Sequence, residues 1–78
     1  MATLRLFGPA REAAGGPRFT LGGADVAAVL TAAESEFGSE FSRVLGVSRV
    51  WLNGEDVDRS AAVTEEDEVA VLPPVSGG

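Results

Sequence analysis

The stretch EVAVLPPVSGG, residues 68–78, decides how this chain is read. Glu68 to Leu72 alternates, with Val69 and Val71 turned one way and Ala70 and Leu72 the other, as in a strand with one buried face. Pro73 and Pro74 remove two backbone donors and fix φ, so the strand stops and the chain leaves the sheet semi-extended. Gly77 and Gly78 carry no side chains, so they fit a narrow tunnel and leave the terminal carboxylate open to attack from any direction. From Pro73 to Gly78 is six residues, a reach of at most about 20 Å.

A strand at the end of a chain needs a neighbour, and Ala2 to Phe7 supplies one. Ala2, Leu4 and Leu6 fall on one face, and Thr3, Arg5 and Phe7 on the other. Gly8 and Pro9 end this strand, and PAREAAGGP reads as a loop. Arg18 to Leu21 then returns as an antiparallel partner, with Phe19 and Leu21 on one face. After Gly22 and Gly23, Asp25 is the N-cap of a helix whose apolar stripe is Val26, Val29, Leu30, Ala33 and Phe37. Gly38 is placed to end it in a left-handed conformation, and Phe41, Val44 and Leu45 form a further helical turn before Gly46. Ser48 to Leu52 is a strand with Val50 and Leu52 on one face and Trp51 opposite. Asn53-Gly54 marks a type I′ hairpin turn, closed by a brief strand around Asp56 and Val57. Thr64 to Glu68, TEEDE, is an acidic turn.

The order strand, strand, helix, strand, strand, strand leaves the long helix to cover one face of a mixed sheet, crossing over so that the last strand lies parallel beside the first. The predicted fold is therefore α+β, a β-grasp or ubiquitin-like arrangement, with a mixed five-stranded sheet and one main helix packed on one face. Residues 1–74 form the domain, and residues 75–78 form a flexible Gly-Gly tail.

Composition narrows the function. Seventy-eight residues without cysteine or histidine exclude disulfides, thiolate or imidazole metal sites and every nucleophile–histidine pair. No metal site is expected. A net charge of −6 opposes nucleic acid and anionic lipid and favours a basic protein surface. The absence of cysteine and of a leader or membrane-length apolar run points to the cytoplasm. All six basic residues are arginine; with Ala, Gly, Val and Arg prominent in the sequence, a GC-rich genome is the plainer reading. Gly15-Gly16 lacks the lysine and strand-to-helix context of a phosphate loop and reads as turn chemistry. The carboxylates Glu65 to Glu68 lack the spaced oxygens and central glycine of a calcium loop.

What remains is a surface and a tail. Parallel first and last strands would bring Phe7 and Leu72 to one end of the helix-free face, with Trp51 beside them, as an apolar docking patch. A loop folded over them, or isolated exposure, is the plainer reading; their position beside the tail favours docking.

These residues resemble the small subunit of molybdopterin synthase, the MoaD-type sulfur carriers of the MoaD/ThiS family, which are similar to ubiquitin in fold. LRLFGPAREAAG resembles the family's opening strand and loop, WLNGEDV its hairpin, and DEVAVLPPVSGG its ending. The resemblance implies that a ubiquitin-activating-type (MoeB-type) adenylating enzyme, using ATP and Mg²⁺, converts the Gly78 carboxylate to an acyl adenylate. A sulfur donor protein then displaces AMP to leave a thiocarboxylate. Docked on the large synthase subunit (MoaE-type), that group would supply sulfur for the molybdopterin dithiolene, with the catalytic residues on the large subunit and no cofactor on this chain. Gly77 and Gly78 would enter the partner's active site. Phe7, Leu72 and Val63 would belong to the contact surface, Arg11 would pair with a partner carboxylate, and Pro73 and Pro74 would lead out the tail. Where the family's acidic turn has glycine, this chain has Glu66, at a cost of about 1 kcal/mol if that backbone is left-handed. Sulfur carriage for thiamine or cysteine, conjugation to other proteins, and a plain interaction module remain alternatives.

Overall fold

The computed structural model describes residues 1–74, so the expected tail at residues 75–78 lies outside the described residues. Five strands form one mixed sheet: β1 (Ala2–Leu6), β2 (Arg18–Leu21), β3 (Arg49–Leu52), β4 (Glu55–Asp56) and β5 (Glu68–Leu72). Their spatial order is β2-β1-β5-β3-β4. β1 and β5 are parallel, with Leu4 beside Val69 and Leu6 beside Val71, and every other pairing is antiparallel. Alternation in each strand sends Ala2, Leu4, Leu6, Val50, Val69 and Val71 into the core.

Three helices, α1 (Gly8–Ala14), α2 (Val26–Phe37) and α3 (Ser39–Leu45), supply the other side of that core. α2 is the main one. Its N-cap Asp25 accepts a hydrogen bond from the Ala28 amide at 2.8 Å, and Val26, Val29, Leu30 and Ala33 are buried. Phe37 packs between Phe19 at 4.6 Å and Phe41 at 5.1 Å, tying β2, α2 and α3 together through tilted and edge-on ring contacts. Gly38 ends α2 with φ 94 and ψ −171 rather than in the left-handed helical conformation, and the same residue caps α3. The expected single turn after it runs two turns, because both Phe41 and Leu45 reach the core.

α1 corrects the sequence reading, which made PAREAAGGP a loop. Pro9 lies in the first turn, where its missing N–H costs nothing. Ala10, Ala13 and Ala14 are strong helix formers, and Ala10 is buried. Gly15, at φ 85, closes the helix. The glycine and proline that looked like loop punctuation are a start and a stop.

Asn53 and Gly54 both have positive φ, 52 and 84, as the type I′ turn requires. Asn53 also joins the hairpin to the acidic turn. Its side-chain N–H donates to Asp67 at 2.9 Å, its side-chain oxygen accepts from the Glu68 amide at 2.9 Å, and its own amide donates to the Glu68 carbonyl at 2.8 Å. Asp67 in turn accepts from the Thr64 amide at 2.8 Å and the Thr64 hydroxyl at 3.1 Å. The turn is thus a clasp at the start of β5. Among the described residues Asn53 alone has positive φ without being glycine, so Glu66 bears no left-handed strain.

The Asn53 side chain, then the Thr64 amide, hold the Asp67 carboxyl below its ordinary value of 3.8. Between the folded and unfolded values the unfolded chain binds more protons. The contribution of Asp67 is therefore complete above the ordinary value and is lost as pH falls through the lower, folded one. Asp67→Ala is expected to lower the urea midpoint at neutral pH. Below about pH 4 wild type should lose stability more steeply than the variant; parallel pH profiles would remove Asp67 from the clasp.

Candidate docking face and tail root

Strand alternation leaves one sheet face uncovered by helices. Thr3, Arg5 and Phe7 of the β1 run, Arg18 and Thr20 of β2, Glu68, Ala70 and Leu72 of β5, Arg49 and Trp51 of β3, and Asp56 of β4 point to it. Because β1 and β5 are parallel and Leu6 pairs with Val71, Phe7 and Leu72 come next at the same end of neighbouring strands. Both are half-buried. This is the patch the sequence pointed to, and Pro73 leaves the sheet directly from it.

The root of the tail is fixed from two sides. The Phe7 amide donates to the Val71 carbonyl at 3.1 Å, extending the parallel ladder one residue past β1. Phe7 is then the N-cap of α1, with φ −128 and ψ 152, so the chain turns from strand to helix within one residue. That turn requires φ +56 at Gly8, and a Cβ there would lie 3.5 Å from the Pro73 ring. Backbone and proline pack closely where the chain departs. Pro73 and Pro74 are both exposed, and β5 ends at Leu72, immediately before them.

Arg11 is exposed on α1, and among the described residues no carboxylate lies within ion-pair distance of it. Val63 is corrected: it is 7% exposed and packed in the core, where its amide donates to the Ala24 carbonyl. Its role is to hold the loop before β5 against the start of α2, and it offers a partner almost no surface. Gly77 and Gly78 lie outside the described residues. Trp51 stands in the row next to the patch, opposite Ala70 and Asp56. It is half-buried, and its indole Nε1 is buried without a hydrogen-bond partner among the described residues.

Sequence reasoning placed Arg5 on this face but gave neither it nor Arg18 and Arg49 a role. Arg5 lies over the Phe7 ring at 5.1 Å, a cation–π contact, and also 3.7 Å from Glu68. Arg49 lies 3.6 Å from Asp56. Their alternation with Leu4, Leu6 and Val50 was the available signal.

A groove of about 410 Å³ between α1 and α3, lined by Pro9, Glu12, Ala13, Glu40, Arg43 and Val44, is on the helical layer. The Glu40–Arg43 ion pair on its wall is exposed to solvent, and no group there is set to do chemistry. Among the described residues no cluster of three or more His, Cys, Asp or Glu could hold a metal, and no helix is long and apolar enough to cross a membrane.

The ThiS family model matches residues 4–78. No curated protein matches. Among solved structures, small archaeal modifier protein 1 from Methanosarcina acetivorans is 27% identical with a TM-score of 0.88, covering 99% of this chain and 95% of that one. The Amycolatopsis orientalis BexX/CysO complex contributes a chain 26% identical with a TM-score of 0.82, covering all of both chains. A chain in the complex of subunits 1 and 2 of the molybdopterin-converting factor from Helicobacter pylori is 28% identical with a TM-score of 0.72, covering 99% and 97%. Two of these three are partner complexes.

Gly8→Ala is expected to destabilise the domain by about 1 kcal/mol, because the positive φ at the turn into α1 disfavours any Cβ. Urea denaturation checks it, and an unchanged midpoint would mean that the strand-to-helix turn tolerates another backbone.

Proposed function

The chain belongs to the ThiS family of ubiquitin-like sulfur carriers, and on that premise we propose that it is the small subunit of a molybdopterin synthase, carrying sulfur on Gly78. The observation that carries this reading is the placement of Phe7 and Leu72 at one end of the open sheet face, at the root of a chain that continues PPVSGG. A carboxylate is a poor electrophile until one oxygen becomes a good leaving group. A partner adenylating enzyme with ATP and Mg²⁺ supplies that step, and sulfide-level sulfur released by a donor then attacks the acyl carbon, expelling AMP and leaving the thiocarboxylate. The domain contributes delivery: the open face docks, and the two prolines send the tail outward into the large subunit's active site. The likeness to a chain of the two-subunit molybdopterin-converting factor supports this pathway.

A second reading, a modifier joined through Gly78 to other proteins, is favoured by the similarity to small archaeal modifier protein 1. With no lysine anywhere in the sequence, such a modifier would have no lysine on which to build chains of itself.

Intact-mass analysis of the protein from cells should show a fraction with one oxygen replaced by sulfur, and deletion of Gly78 should abolish sulfur transfer while leaving the fold intact. Only unmodified carboxylate, even with the adenylating enzyme co-expressed, would defeat the carrier reading, and high-mass conjugates through Gly78 would favour the modifier. Phe7→Asp should weaken binding to the large synthase subunit, measured by calorimetry, because it places a charge in an apolar contact. Unchanged affinity would remove Phe7 from the interface.

A further inference from the structure

The open face carries a charge pattern that the rest of the chain does not share. Strand register sets Arg5 directly opposite Arg18. Both point away from the core, because the adjacent pair of the same ladder, Leu4 and Phe19, is the core-side one. Like charges directly opposite on one face of an antiparallel pair are destabilising. The next pair on that face, Thr3 and Thr20, is neutral. Arg5 finds relief in Glu68 and the Phe7 ring, but its ion pair is loose, 3.7 Å long with side chains 40% and 39% exposed. Arg18 is exposed and, among the described residues, has no carboxylate within ion-pair distance. On the other flank Arg49 stands directly opposite Leu72.

Three arginines and two carboxylates, Glu68 and Asp56, therefore lie on the open face, whereas the other three arginines share the remaining chain with ten carboxylates. The net charge of −6 would direct the chain to a basic partner, but around Phe7 and Leu72 the local balance has the opposite sign.

We propose that the open face docks a partner surface whose apolar patch is rimmed by carboxylates, with Arg18 and Arg5 taking one acidic side chain beside Phe7 and Arg49 another beside Leu72. This rests on the docking role given to Phe7 and Leu72. A guanidinium offers a planar fork that matches a carboxylate. Among the described residues Arg18 has no ion pair to break before it binds, and Arg5 would exchange a loose one. Such a rim governs encounter rate and partner choice more than total affinity. A second copy of this chain is a poor occupant, because a two-fold contact through the same face would set two surfaces of the same net positive charge against each other.

The test titrates the protein against the large synthase subunit and, separately, the adenylating enzyme encoded in the same genome, by calorimetry at low and high salt. Arg18→Gln should weaken binding to at least one of them by about two- to fivefold at low salt and flatten the salt dependence. Arg18→Glu should weaken it more, and Arg18→Lys should retain most of it. Arg18→Gln should also raise the Tm of the free protein, since Arg5 would no longer face a like charge; a merely structural arginine would do the reverse. If Phe7→Asp weakens binding while the Arg18 variants keep wild-type affinity and salt slope, docking stands and the acidic rim is overturned. If the Arg18 variants lose affinity and Phe7→Asp does not, the rim stands and the apolar contact falls. If wild type binds neither protein, both are overturned. A dimer of the chain alone, seen in the ultracentrifuge and dissolved by Arg18→Glu, would assign the face to a second copy and overturn the proposal.

Discussion

The parallel pairing of β1 with β5 is the constraint on which everything else depends. It joins residues 65 positions apart, Leu4 with Val69 and Leu6 with Val71, so the whole of the chain between them is one crossover connection. The entropy of closing so long a loop grows only as the logarithm of its length, and four side chains with at most 1% exposure offset it. Register is equally constrained. A slip of one residue would turn Arg5 toward the helices and Leu4 and Leu6 toward the open face, so the hydrophobic pattern that closes the core also fixes what the other face displays. Phe7 and Leu72 end together because Leu6 and Val71 are buried together.

Much of this was legible in the sequence because it depends on periodicity. Two-residue alternation gave the strand faces, the 3.6-residue stripe gave α2, and Asn53-Gly54 gave its turn. What the sequence hid was set by tertiary context. PAREAAGGP carries the same letters whether it is a loop or a capped helix, and burial of Ala10 in the core decides the matter. Val63 lies in a segment with no period, and its burial comes from the backbone bonds that tie residues 59, 61 and 63 to the start of α2. The acidic turn showed its charge but not its partner, because Asn53 and Asp67 are brought together only when β3 and β5 pair.

The similar structures share this scaffold across proteins that range from a modifier to a subunit of a molybdopterin-converting factor. A fold common to such proteins cannot itself choose a pathway. In this chain the buried ladder and the helical layer keep the sheet flank and the tail root in place. Phe7, Leu72 and the arginines around them lie on the open face, outside that core.

Trp51 gives that face an optical property. It is the one tryptophan in the sequence, with its ring half-buried in the central row between Ala70 and Asp56 and its Nε1 shielded and unpaired among the described residues. Indole emission depends on the polarity around the ring and on hydrogen bonding at that nitrogen. The protein therefore carries a built-in fluorophore on the surface where a partner would settle, and its colour would register both loss of the sheet and covering of the face without any label.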